Sequence, residues 1–132
     1  MKSVLKYQLP PLLWLIVIYF LSSIPNLHVR LRLPLGSDKI AHAIMYFALC
    51  WLVFRAFRYQ DFSVLLSKGA LLGAFIFCCV YGILDEYHQR SIPGRAVDLN
   101  DVVAGAGGAL LFVALASMFR SRWASKGSQP KS

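Results

Sequence analysis

The sequence predicts an all-α polytopic membrane protein, a bundle of four transmembrane helices with both termini in the cytoplasm. Three observations predict it. Of 132 residues 58% are apolar, and the mean hydropathy of +0.57 exceeds what an ordinary soluble surface carries. The charged residues cluster and leave four apolar stretches, residues 9–24, 40–57, 69–84 and 102–119, suited to a hydrocarbon core of roughly 30 Å. No charged stripe with a period of about 3.6 residues runs along any of them, as each helix of a soluble bundle would need. Residues 1–119 are therefore read as a single membrane domain, and the basic tail 120–132 as disordered or membrane-skimming.

Pro10 and Pro11 open the first stretch, where a missing N–H is harmless, and Pro25 with Asn26 stops it. Lys2 and Lys6 before an apolar run resemble a secretion signal, but bulky Leu21 stands where cleavage wants a small residue and three more spans follow. The stretch is read as an uncleaved helix. From Leu27 to Leu35 apolar residues alternate with His28, Arg30, Arg32 and Pro34, which predicts an extended segment along the membrane surface or on the rim of the bundle. Ser37 is read as the N-cap of the second span, with Asp38 in its first turn. Gly69 and Gly73 begin the third span; Ala104, Gly105, Gly108 and Ala109 give the fourth a similar small-residue face, so these two helices are expected to touch. Cys50, Cys78 and Cys79 fall inside spans without metal or disulfide spacing and are read as reduced and inert.

Orientation follows from the basic residues, which favour the cytoplasmic side. Lys2, Lys6, Arg55, Arg58, Lys68, Arg120, Arg122, Lys126 and Lys131 make nine on the side of the termini; Arg30, Arg32, Lys39, Arg90 and Arg95 make five on the other. The same asymmetry accounts for the net charge of +8 without a nucleic-acid partner.

The polar residues concentrate at one end of three spans. Asp38, His42 and Tyr46 recur every four residues and share a helix face. The third span ends in Asp85, Glu86, His88, Gln89 and Arg90, and a Pro93-Gly94 turn with Arg95 leads to Asp98 and Asp101 at the start of the fourth. Ionisable groups at such depth are costly and mark a functional site by default; a purely structural network joining helix ends is the alternative. The cheapest pairing sets Arg95 between two carboxylates and leaves His42 against Asp85 or Asp101. Asp85 and Glu86 point to different helix faces and are no ready-made dyad; Tyr87 and His88 read as interfacial amphipaths. No metal-ligand spacing, nucleophile elbow or nucleotide-binding glycine loop is present, so neither a metal nor a cofactor is expected.

Ser37-Asp38-Lys39-x-x-His42 with Tyr46, Asp85-Glu86-x-x-Gln89, Ile92-Pro93-Gly94-Arg95, and Asp101-Val102-Val103-Ala104 with Gly108 together resemble the motif series of VanZ-like integral membrane proteins. The resemblance spans three of the four predicted helices. It implies a bacterial inner-membrane protein of a family named for a member associated with low-level teicoplanin resistance, and it supplies no reaction. By motif position Asp38, Lys39, His42, Glu86, Gln89, Arg95 and Asp101 match the family's polar set. The chain departs from it at Gly105, where the family often has Asn.

Two functions are therefore expected to compete. In the first, an outward-facing pocket of Asp38, Lys39, His42, Tyr46, Asp85, Glu86, Gln89, Arg95, Asp98 and Asp101 binds an envelope lipid or lipid-linked headgroup, Arg95 and Lys39 contacting its phosphate or carboxylate. This would link the protein to glycopeptide resistance or envelope homeostasis without catalysis. In the second, the protein is a membrane-embedded enzyme acting on an envelope lipid or cell-wall precursor, with His42 as general base among Asp38, Asp85, Glu86 and Asp101. Membrane lipids are the partners in both, and a homo-oligomer is left open.

Overall fold

The computed structural model describes residues 2–25, 34, 36–95 and 97–126. Its helices are α1 (Lys2–Tyr7), α2 (Leu9–Ser22), α3 (Ser37–Arg58), α4 (Val64–Lys68), α5 (Ala70–Gln89) and α6 (Leu99–Lys126), and no strand occurs among the described residues. Four segments, Leu5–Ser22, Ser37–Arg58, Ala70–Gln89 and Leu99–Phe119, are long and apolar enough to cross a membrane. The alternating segment from Leu27 to Leu35 falls almost wholly outside the described residues.

Local chemistry explains most boundaries. Pro10 and Pro11 cannot donate backbone N–H groups to the carbonyls of Lys6 and Tyr7, so the first span divides at Gln8 into α1 and α2. Ser37 is not the N-cap of α3. Gly36 takes that position at φ 87°, in the left-handed region a glycine enters without steric penalty, and Ser37 becomes the first helical residue with an unpartnered, buried Oγ. At the other polar ends helix continues well past the apolar run: α5 reaches Gln89 and α6 starts at Leu99. The helix also extends to Lys126, seven residues into the segment read as disordered; residues 127–132 lie outside the described residues.

Helix α3 is the centre of the bundle, packing most extensively along α6 and also against α5 and α2. The core consists of Ile18, Tyr46, Leu49, Cys50, Val53, Ala74, Cys78, Ala109 and Phe112. Outside it Leu12, Ile16, Phe20, Leu72, Ile76, Val80, Ile83, Leu110 and Leu111 are exposed, an apolar jacket that only a hydrocarbon solvent would cover at low cost. The third and fourth spans do touch, but the closest approach lies elsewhere. A Cβ placed on Gly108 would collide with the backbone of Ala43, so the small-residue face of α6 seats the backbone of α3. Polar anchors tie the helices together: the Trp14 Nε1–H donates to the Met45 carbonyl at 3.0 Å and the Tyr81 hydroxyl to the Leu15 carbonyl at 3.1 Å. The end of α2, the start of α3, the end of α5 and the start of α6 thus meet at one end of the bundle. Tyr7 stacks on Tyr59 at the other, with the Arg55 guanidinium over the Tyr7 and Trp51 rings.

Candidate functional site: a polar crevice at one bundle end

Every candidate residue from the sequence lies at this shared end, in three linked groups. The rim group is built on Lys39, whose Nζ contacts Asp98 at 2.9 Å and Asp38 and Asp101 at 3.2 Å each. Lys39 and Asp98 are more than a third exposed, whereas the Asp101 side chain is only 10% exposed, so the ammonium neutralises a buried charge from the surface side. The hydrogen bond from Lys39, with a further bond from the Asn100 N–H, holds the Asp98 carboxyl below the ordinary carboxylate value.

The second group secures the end of α2. Arg95 Nη2 donates to the Leu21 carbonyl at 3.0 Å, Nε to the Ile24 carbonyl at 3.3 Å and Nη1 to Gln89 Oε1 at 2.8 Å. The expected pairing of Arg95 with two carboxylates therefore does not occur. A helix C-terminus leaves its last carbonyls unpaired and carries negative partial charge, and a guanidinium fork satisfies both needs together. Gln89, 1% exposed, passes the connection inward through Nε2 to Ser22 Oγ at 3.4 Å and Asp85 Oδ2 at 3.3 Å. His88 belongs to the same end: its ring stacks on Tyr19, and its Nε2 lies 3.0 Å from Ser23 Oγ, whose own proton goes to the Tyr19 carbonyl. His88 Nε2 is therefore the donor, and the residue is a packing group.

The third group lines a crevice among α3, α5 and α6, formed by His42, Tyr46, Gly82, Asp85, Glu86, Asp101, Val102 and Gly105. Its space, open mouth included, is about 180 Å³, and its walls stand too close to admit a water-sized sphere. The ring of Tyr46, 1% exposed, lies between two glycines: a Cβ on Gly105 would come 3.2 Å from it and one on Gly82 3.4 Å. Gly105, where the sequence departs from the family pattern, thus provides room for an aromatic ring. The Tyr46 hydroxyl points to Asp85 Oδ2 at 3.5 Å, the long limit of a hydrogen bond.

His42 Nδ1 lies 2.9 Å from the Asp38 backbone carbonyl. A carbonyl only accepts, so Nδ1 carries the proton and Nε2 is left with no partner among the described residues. The neighbouring acids are likewise incompletely satisfied. Glu86 Oε1 accepts the Asp98 N–H at 2.6 Å, Asp85 uses Oδ2 and Asp101 uses Oδ1, which leaves Glu86 Oε2, Asp85 Oδ1 and Asp101 Oδ2 without a partner among the described residues. His42, Asp85, Glu86 and Asp101 are each more than nine-tenths buried. None of these four atoms is sealed in, because Ser37 Oγ is the one fully buried side-chain polar atom without a partner among the described residues. No group of three His, Cys, Asp or Glu side chains there is arranged to hold a metal ion.

A scan against protein-family models matches VanZ/LLP1 over residues 2–120. The chain belongs to the VanZ/LLP1 family. The match covers all four candidate membrane spans and the whole crevice of this VanZ/LLP1 protein. No curated protein and no solved structure matches it. Some residues of the VanZ/LLP1 site had no recognisable signal in the sequence. Ser22 and the Leu21 and Ile24 carbonyls belong to a helix end whose partner lies some seventy residues away. Val102 and Gly82 line the crevice but carry no chemistry that distinguishes them from other span residues.

Proposed function

We propose that this VanZ/LLP1 membrane protein is a noncatalytic accessory protein of the bacterial cell envelope. Its crevice opens on the outer face of the cytoplasmic membrane and takes the polar headgroup of a lipid or lipid-linked envelope intermediate. One observation carries the reading: His42, more than nine-tenths buried, has its Nδ1 committed to Asp38 while Nε2 remains free beside three incompletely paired acids. Polar atoms short of partners on residues so largely withdrawn from solvent are costly. A headgroup entering between the helices would supply the missing partners at headgroup depth. The narrow walls require widening on entry, and the flexible Lys39 side chain on the rim is the group that can swing aside without disturbing a helix. Occupancy of an envelope intermediate would connect the protein to glycopeptide-type resistance through how much of that intermediate the cell surface displays.

Native mass spectrometry of the protein released from nanodiscs tests the reading. The wild type should retain lipid that His42→Ala loses while remaining folded; equal retention by both would contradict it.

The anchored imidazole also favours a second reading, an enzyme in which Nε2 of His42 removes a proton from an envelope-lipid substrate. A fixed tautomer is what a general base needs. Product formation from lipid-linked substrates that vanishes in His42→Ala would establish it in place of the binding role.

A further inference from the structure

We infer that the group accepted by the crevice is a primary ammonium rather than a phosphate, an inference that rests on the headgroup reading above. Anion binding needs free cationic donors, and no lysine or arginine among the described residues supplies one to the space. The crevice lining contains no lysine or arginine. Lys39 is occupied by three carboxylates, and Arg95 directs Nε, Nη1 and Nη2 to two carbonyls and Gln89.

What the lining offers is acceptors. His42 Nε2, Asp85 Oδ1, Glu86 Oε2 and Asp101 Oδ2 have no partner among the described residues, on residues that are each at most 7% exposed. A primary ammonium carries three N–H donors and one positive charge, which matches both the geometry and the charge deficit. Glu86 lines the same crevice as Asp85 and Asp101, yet it receives only a single backbone N–H. A buried carboxylate so poorly matched calls for a cation with donors. The protein already contains such a complex on the rim, where the Lys39 ammonium sits 2.9–3.2 Å from Asp38, Asp98 and Asp101. A ligand ammonium would repeat that arrangement one layer deeper, sharing Asp101.

The test uses the full chain in nanodiscs of phosphatidylglycerol containing a minor fraction of either phosphatidylethanolamine or phosphatidylcholine, with retained lipid read by native mass spectrometry. A soluble arm adds free ethanolamine. Phosphatidylethanolamine should be retained about tenfold over its bulk share. That enrichment should disappear in Glu86→Gln and in Asp101→Asn, both checked for native helix content, and persist in Asp61→Asn at the opposite end. Equal enrichment of phosphatidylcholine, whose headgroup has no N–H donor, would overturn the inference. So would enrichment of phosphatidylglycerol that depends on His42, and this result would leave the headgroup reading intact. Binding of free ethanolamine without enrichment of its lipid would support the ammonium site and overturn the lipid reading. No enrichment and no ethanolamine binding would overturn both.

Discussion

His42 Nδ1 donates to the Asp38 backbone carbonyl across 2.9 Å, one helical turn back along α3. This contact fixes the ring and determines which nitrogen faces the crevice. Solid-state NMR of protein labelled with ¹⁵N at histidine should therefore show one ring with a proton on Nδ1, assignable by its loss in His42→Ala. A ring protonated at Nε2 alone would contradict the geometry.

Arg95 acts as the cap of α2. Arg95→Lys keeps the charge but loses the planar fork, so the Leu21 and Ile24 carbonyls cannot both be satisfied. The expected cost is about 1.5–3 kcal/mol for the charged hydrogen bonds removed, read as a lower unfolding temperature in detergent. Lipid retention, where the variant is folded, should be unchanged.

Gly108 brings α6 against the backbone of α3 at Ala43. Gly108→Ala places a methyl group into backbone rather than into a side chain that can move away, and should destabilise by about 1–3 kcal/mol. Gly107→Ala, whose added Cβ meets nothing within 4 Å, should be near neutral in the same thermal assay.

Acid should loosen the rim through Asp98. Its carboxyl is held below the ordinary value chiefly by Lys39, so it contributes stability above the unfolded carboxylate value and loses it as pH falls through the lowered folded value. The wild type should unfold at a higher temperature than Asp98→Asn at pH 7. The two should converge only below the ordinary carboxylate range near about pH 4. A constant gap across that range would contradict the ion contact.

Hydropathy made the four spans legible, because charges cannot be spread along a helix that meets hydrocarbon. The four-residue spacing of Asp38, His42 and Tyr46 likewise placed them on one face. The helix ends were less legible: Asp85, Glu86, Gln89 and Asp101 are polar, yet they lie within helices and are buried where the ends of α5 and α6 meet. The pairing of Arg95 differs from the sequence expectation for a physical reason. Arg95 and Lys39 look interchangeable as partners for acids, but the partners of Arg95 include backbone carbonyls, which every residue carries and no sequence pattern marks. The side chain that meets the acids is the lysine. Gly105 reads in sequence only as a departure from the family resemblance, whereas in the fold it is the space that Tyr46 fills.

The central claim is that a headgroup enters the crevice, and a photoreactive side chain in place of Val102, which lines it, tests this most directly. Irradiated in nanodiscs of mixed lipids, the variant should crosslink one lipid class far beyond its bulk share, and Glu86→Gln should remove that selectivity. The same group at Ile76, on the exposed apolar flank of α5, should crosslink lipids in bulk proportion. Bulk-proportion or absent lipid crosslinking at position 102 would contradict the account.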